Sequence, residues 1–350
     1  VIIATATTGT DRRTRRPRLP RPSPAGLLLG LLAALAVVCV ASILLGSNRL
    51  SPVAVLDGLL HPGSGRDAAV VYGSRVPRTV IGLVVGVCLG VGGTVMQGHT
   101  RNPLADPGLF GVSAGAGLAV VLGIVVFGVS GTGASVGLAL VGALLASLAA
   151  FAITVAGSGT ASPVPLAIAG TAVSALLTAV TSFLTLADRD SLRAYQLWVV
   201  GSLSGRQLDE VWGTLPFAAA GLLLAAFNAR SLDNLALGEE LARGLGENLL
   251  VARGVGLAAI TLLTAAATAA AGPIAFVGLV VPHLARAAVG SAHRRLLPAA
   301  ALVGGLLVLL ADIVGRLAGG TSEVQVGIVL AVIGGPFFVA VARGRSLVSL

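Results

Sequence analysis

Long apolar runs separated by short polar intervals repeat along the chain from residue 25 almost to its last residue. Ten are legible: Ala25–Gly46, Thr79–Met96, Leu109–Val129, Ser135–Ala156, Leu166–Leu186, Gly213–Ala229, Leu249–Ala271, Gly272–Gly290, Ala299–Leu317 and Val326–Ala342. Most approach the ~20 residues that carry an α-helix across a bilayer. The pattern predicts an all-α, polytopic membrane protein with about ten transmembrane helices. Gly272–Gly290 is interrupted by Pro273 and Pro282, which predicts a kinked or partly unwound span. Of the polar intervals, Asn48–Tyr72 reads as an external loop, Gln97–Gly108 as a polar turn and Gly157–Pro165 as a tight loop. Ala187–Trp212 is amphipathic and holds both Trp residues, which suit a membrane interface.

One interval breaks the pattern. Leu232–Glu247 carries Asp233, Glu239, Glu240, Arg243 and Glu247 in a chain only 11% charged. Read as a helix from Gly238, it sets Leu237, Leu241 and Leu245 on one stripe and the charges on the other side. Glu239 and Glu240 fall in the first turn, where the helix dipole favours anions, and Glu239 precedes Arg243 by four, the favourable ion-pair order. Gly244 and Gly246 read as stop signals. A segment this short and polar does not cross a bilayer; it is a surface helix that a partner can grip.

Composition agrees with a membrane location: mean hydropathy is +0.96 and 55% of residues are hydrophobic. The net charge of +9 does not point to nucleic acid, because the basic residues lie in tails and loops between apolar runs. With both termini inside, fifteen arginines fall on the inner face and eight on the outer, the sign expected of the positive-inside bias. Six of the fifteen belong to the basic tail 1–24, read as disordered and cytoplasmic; residues 25–345 form the membrane domain and 346–350 a short cytoplasmic tail. All 23 basic residues are Arg, with no Lys. A phosphate-binding P-loop and a Schiff-base site both need Lys, so neither resides in this chain. Cys39 and Cys88 sit inside apolar runs, as packing residues do. His99, His283 and His293 lie in separate segments without metal-ligand spacing, and no cofactor is expected.

Seven stretches, in order, resemble the permease subunits of FecCD-type ABC importers for iron-siderophores, haem and cobalamin. They are RVPR at 75–78, MQGHTRNPLADPGLFGVSAGAG at 96–117, LDNLALGEELARGLG at 232–246, GPIAFVGLVVPHLARAAVG at 272–290, HRRLLP at 293–298, LLADIVGR at 309–316 and VGIVLAVIGGPFFV at 326–339. The resemblance implies a type II importer permease of ten spans in a bacterial inner or plasma membrane. Its partners are a second permease subunit, identical or different, two cytoplasmic ATP-binding subunits and an extracytoplasmic solute-binding protein. It implies that Arg75, Arg78 and Arg316 dock acidic residues of the binding protein. Leu237, Gly238, Glu239, Glu240, Leu241, Arg243, Leu245 and Gly246 become the helix that couples to the ATPase. Asn102, Leu104, Ser162 and Pro163 map onto a cytoplasmic gate, although the loop around Ser162 holds Pro where relatives are richer in Ser and Thr. The cargo expected first is a ferric siderophore, with haem and cobalamin behind it.

Read without the resemblance, the residues leave alternatives. Arg75, Arg78 and Arg316 also suit snorkelling interface anchors, and Asp312, four residues before Arg316, suits a simple ion pair. An ion-coupled transporter would place acids or His at a midplane cavity, where only Asp312 comes near. An intramembrane enzyme would need a nucleophile elbow or a paired catalytic His motif, and neither is present.

Overall fold

The computed structural model describes residues 23–48, 50–63, 65–129, 132–158, 163–319 and 322–343, and among them there is no β-strand. The helices are α1 (Pro24–Leu44), α2 (Pro52–Leu60), α3 (Gly65–Val70), α4 (Val76–Thr100), α5 (Val112–Phe127), α6 (Thr132–Ser158) and α7 (Pro163–Ala187). They continue as α8 (Arg189–Val199), α9 (Leu208–Ala236), α10 (Glu239–Gly244), α11 (Leu249–Ala271), α12 (Val277–Val289), α13 (His293–Ala318) and α14 (Val326–Arg343). Among the described residues, seven helical stretches are long and apolar enough to cross a membrane, and three shorter apolar helices, Val112–Phe127, Val277–Val289 and Val326–Val341, account for the remaining predicted runs. The all-α, polytopic reading holds.

The fold is built around α4 and α13, which run antiparallel. The 25 residues of α4 extend over about 37 Å at ~1.5 Å per residue. In a bilayer, helices associate through close packing rather than water exclusion, so small residues set how near their backbones come. At the α4–α13 crossing a Cβ on Gly86 would strike the Gly304 carbonyl, and one on Gly304 would strike that of Gly86. Only two glycines allow this approach. Ile81, Val85, Leu89 and Val95 of α4 and Leu296, Val308 and Leu309 of α13 are then fully or almost fully enclosed. The outward sides of α1, α6 and α7 leave Leu29, Val37, Leu145, Leu148, Ile168 and Phe183 more than half exposed, as lipid-facing residues are.

Several predicted boundaries move. Asn48–Tyr72 is not a loop. Ser51 caps α2 by accepting from the Ala54 N–H at 3.2 Å, and Pro52 sits where its missing donor costs nothing. Val55 and Gly58 of α2 pack inward against α3, and a π-helical turn, Val71–Arg75, runs on into α4. The second span therefore begins before Thr79, and Gln97–Thr100 remain helical rather than opening the polar turn. Likewise α9 continues to Ala236, beyond the predicted end at Ala229. Trp198 is buried at 7% exposure and stacks near Tyr195, with ring centroids 6.4 Å apart, over Gly117 of α5; it is a packing residue, while Trp212 stays exposed. The unwinding predicted for Gly272–Gly290 is real and local: residues 272–276 are non-helical, Phe276 adopts φ 68°, and α12 follows with Pro282 inside it.

Candidate docking and coupling sites

The first site lies where α4 begins and α13 ends. Arg75, Arg78 and Arg316, distant in sequence, come together there, each only 3–4% exposed. Arg78 Nε donates to Asp312 Oδ1 at 2.8 Å and its Nη1 to Glu323 Oε2 at 2.5 Å. Arg316 Nη2 lies 2.9 Å from Asp312 Oδ2, one helical turn away, close enough for an ion pair though not aligned as a hydrogen bond. Its other bonds go to the end of α1, from Nη1 to the Ser42 and Leu45 carbonyls and from Nη2 to Ser42 Oγ, all at 2.8 Å. Arg75 does the same job beside it, donating to the carbonyls of Ile43 (2.7 Å), Leu44 (2.8 Å) and Asn48 (2.6 Å).

The physical reason is plain. The last carbonyls of a helix have no partner within it, and cations are favoured at that end. Two guanidinia, each with several donors in a fixed fork, satisfy the end of α1, while Asp312 and Glu323 supply the countercharge that buried cations require. A snorkelling anchor would keep its charged head in water, and these heads are inside the protein. A cavity of about 360 Å³ opens beside them, with Ser47, Arg66, Arg75, Arg78, Arg316 and Glu323 in its wall. Burial pushes the Glu323 carboxyl up, but bonds from Arg78 and Ser47 and the Arg78 charge outweigh it and hold the group below the usual glutamate range.

The second site lies at the opposite ends of the same two helices. Gly238, at φ 107°, adopts backbone angles that side chains disfavour and turns the chain from α9 into α10. Ala242 is buried against the α9–α11 junction, whereas Leu237, Leu241 and Leu245 are 60–62% exposed, an apolar stripe uncovered in this chain. Helix α10 ends in a Schellman motif: Gly246, at φ 83°, donates to the Arg243 carbonyl at 2.9 Å and Glu247 to that of Ala242 at 3.0 Å. Gly246 is therefore the stop, and Gly244 is the last helical residue. Glu247 clasps α9 by accepting from Ser231 Oγ at 2.5 Å and Asn234 Nδ2 at 2.8 Å, bonds that lower its pKa.

The charges of α10 divide in two. Glu240 and Arg243 are exposed with the leucines. Glu239 turns inward: Oε1 accepts from Arg253 Nη2 of α11 at 2.5 Å and lies 4.0 Å from Arg101 Nη2, while the anticipated partner Arg243 is 3.8 Å from Oε2. Arg101 ends α4 in the left-handed region, φ 49°, and leads directly into Asn102. There Asn102 Oδ1 accepts from the Leu104 N–H at 2.9 Å, an Asx turn, with Asn102 exposed and Leu104 half-buried. Pro163 is the first residue of α7; Ser162 lies outside the described residues. At this end too, His293 at the start of α13 meets Asp233 Oδ1 through Nδ1 (2.7 Å) and its backbone N–H (2.9 Å). His99 pairs with Asn228 at 2.7 Å, and His283 packs edge-on to Phe337.

Sequence reasoning missed Glu323, Arg253 and Ser42. Arg253 reads only as one of the inner-face arginines near the start of an apolar run, and Ser42 as a residue inside another. Glu323 stands in the short polar interval before α14, but nothing in its spacing reveals partners as remote as Arg78 and Ser47.

Comparison with known proteins gives the constellation a context. The description of the FecCD transport family matches residues 34–344. The ferric enterobactin transport system permease protein FepD of Escherichia coli (strain K12) is 41% identical over 91% of this chain and 95% of its own. The hemin transport system permease protein HmuU of Yersinia pestis is 40% identical over 89% of this chain and 94% of its own. A cobalamin import system permease protein, BtuC of Halobacterium salinarum, is 39% identical over 83% and 78%. Among solved structures, an inward-facing conformation of a metal-chelate type ABC transporter superposes with a TM-score of 0.79 at 28% identity, covering 92% of this chain and all of that one. The chain belongs to the FecCD transport family of multi-pass ABC importer permeases.

Proposed function

We propose that this chain forms the translocation path of an ATP-driven importer of ferric siderophores. It pairs with a second permease subunit, receives cargo from an extracytoplasmic solute-binding protein and is driven by two cytoplasmic ATP-binding subunits; both its termini lie in the cytoplasm. Arg75, Arg78 and Arg316 dock acidic side chains of the binding protein. Leu237, Gly238, Glu239, Glu240, Leu241, Arg243, Leu245 and Gly246 form the contact through which ATPase closure is felt. Asn102, Leu104, Ser162 and Pro163 narrow the cytoplasmic exit. No chemistry is done in this chain; transport is a shift between conformational populations that the two partners bias from opposite ends.

The observation that carries this reading is the placement of the two sites at opposite ends of the α4–α13 pair. One is an arginine cluster beside a cavity; the other is a short helix whose Leu241, with Leu237 and Leu245 flanking the helix, is uncovered. Proton-coupled transport through Asp312 is disfavoured by the two guanidinia that hold that carboxylate. Relatives named for ferric enterobactin, hemin and cobalamin are nearly equal in identity, at 41%, 40% and 39%, so cargo needs a direct test. In a strain lacking this chain, uptake of labelled ferric siderophore is expected to fall while haem and cobalamin uptake persist. Loss of haem or cobalamin uptake instead would reassign the cargo.

A further inference from the structure

The arginine cluster contains one contact that can be exchanged. Arg316 pairs with Asp312 within its own helix, and both Arg316 and Arg75 donate to backbone carbonyls in and just after α1, which no incoming side chain can replace. Arg78 differs, because its second partner is a side-chain carboxylate, that of Glu323 between α13 and α14, with a quarter of that side chain exposed (25%). Glu323 Oε1 accepts from Ser47 Oγ at 2.8 Å; Oε2 accepts from Arg78 Nη1 at 2.5 Å and from Ser204 Oγ at 3.3 Å. One carboxylate thus fastens the segment after α1, the first turn of α4 and the segment between α8 and α9, at the edge of the 360 Å³ cavity.

We propose that Glu323 is an internal stand-in for the docking carboxylate. While no partner is bound it occupies Arg78. On docking, an acidic side chain of the solute-binding protein enters the cavity, takes Glu323's place on Arg78, and so frees Ser47 and Ser204. The proposal rests on the docking reading above and supplies what that reading lacks, an account of how a buried guanidinium is kept paired before its partner arrives. An unpaired buried cation is strongly unfavourable, whereas exchanging one carboxylate for another keeps the charge balance throughout. The same exchange selects the partner: only a carboxylate on a side chain able to reach into the cavity replaces Glu323 on equal terms.

The test uses the full chain, assembled with its ATPase in lipid nanodiscs and titrated with the solute-binding protein that supports its uptake. Glu323→Gln removes the competing charge, so docking is expected to tighten about tenfold, the relief from a contact held roughly nine-tenths of the time. Arg78→Gln is expected to weaken docking at least as much, with or without Glu323. Unchanged or weaker docking in Glu323→Gln, with Arg78→Gln still weakened, overturns the exchange and leaves the docking reading standing. Unchanged docking in Arg78→Gln removes the docking reading and the exchange with it. Should Glu323→Gln fail to assemble, the pair Ser47→Ala and Ser204→Ala loosens Glu323 without removing it and must tighten docking; no change there also overturns the exchange.

Discussion

Asp312 shows how much rests on one residue. It is fully enclosed and is the carboxylate that Arg78 and Arg316 share. Asp312→Ala leaves two buried guanidinia short of countercharge, and breaking a buried pair in this way costs ~3–5 kcal/mol. The melting temperature in detergent should drop clearly, with Asp312→Asn falling less because it can still accept a hydrogen bond. A variant as stable as the parent would mean that water reaches the cluster. The pairing of Asp312 with Arg316 was legible from their four-residue spacing. That with Arg78 was not, since it spans 234 positions and depends on how α4 meets α13. Glu247 sets a pH dependence. Its pKa is lowered by Ser231 and then Asn234, so its clasp contributes above the pKa that an unfolded glutamate has and is lost as pH falls through the lowered folded value. Amide exchange around the α10–α11 junction should quicken on acidification below the ordinary glutamate range, and Glu247→Gln should flatten that response.

For the elements, α10 is where sequence and structure agree most closely, for an understandable reason. Its helix start after Gly238 and its stop at Gly246 are local properties of one short stretch, although of the expected leucine stripe only Leu241 lies in the helix, Leu237 capping α9 and Leu245 capping α10. What stayed hidden was the direction of Glu239, because Arg253 and Arg101 come from other helices. This geometry makes Glu239 the strut between α10, α11 and the turn at Asn102. Reversing the pair tests it: Glu239→Arg alone should cut transport at least tenfold, and adding Arg253→Glu should restore a large part of it, a coupling readable as a double-mutant cycle. No recovery in the double variant would mean that the pair is incidental. Boundary errors elsewhere share one cause. Polarity marked Asn48–Tyr72 and Gln97–Thr100 as loops, but polar residues at the ends of spans remain helical where they are capped or packed, as Ser51 and Gln97 are.

Across the whole molecule, alternating apolar runs were enough to foretell an all-α membrane protein, since each spanning helix must satisfy its own backbone. They were not enough to foretell that α4 and α13 join the arginine cluster to the end that carries α10. That arrangement depends on the contact of Gly86 with Gly304, invisible in an alphabet of polar and apolar positions. Gly304→Leu should force the pair apart and abolish stable insertion, seen as loss of full-length protein from membranes, whereas Gly137→Leu, at a glycine with open space around it, should not.

The central claim is that α10 receives the ATPase stroke while the arginine cluster receives the binding protein. Vesicles holding the complete importer, with Glu239, Glu240 and Leu241 all changed to Ala in this chain, separate the two most directly. Measured together, uptake of ferric siderophore should fall below about a tenth of the parent rate, a loss of more than ~1.4 kcal/mol in coupling, while docking of the solute-binding protein stays unchanged. Full uptake in that variant would contradict the account.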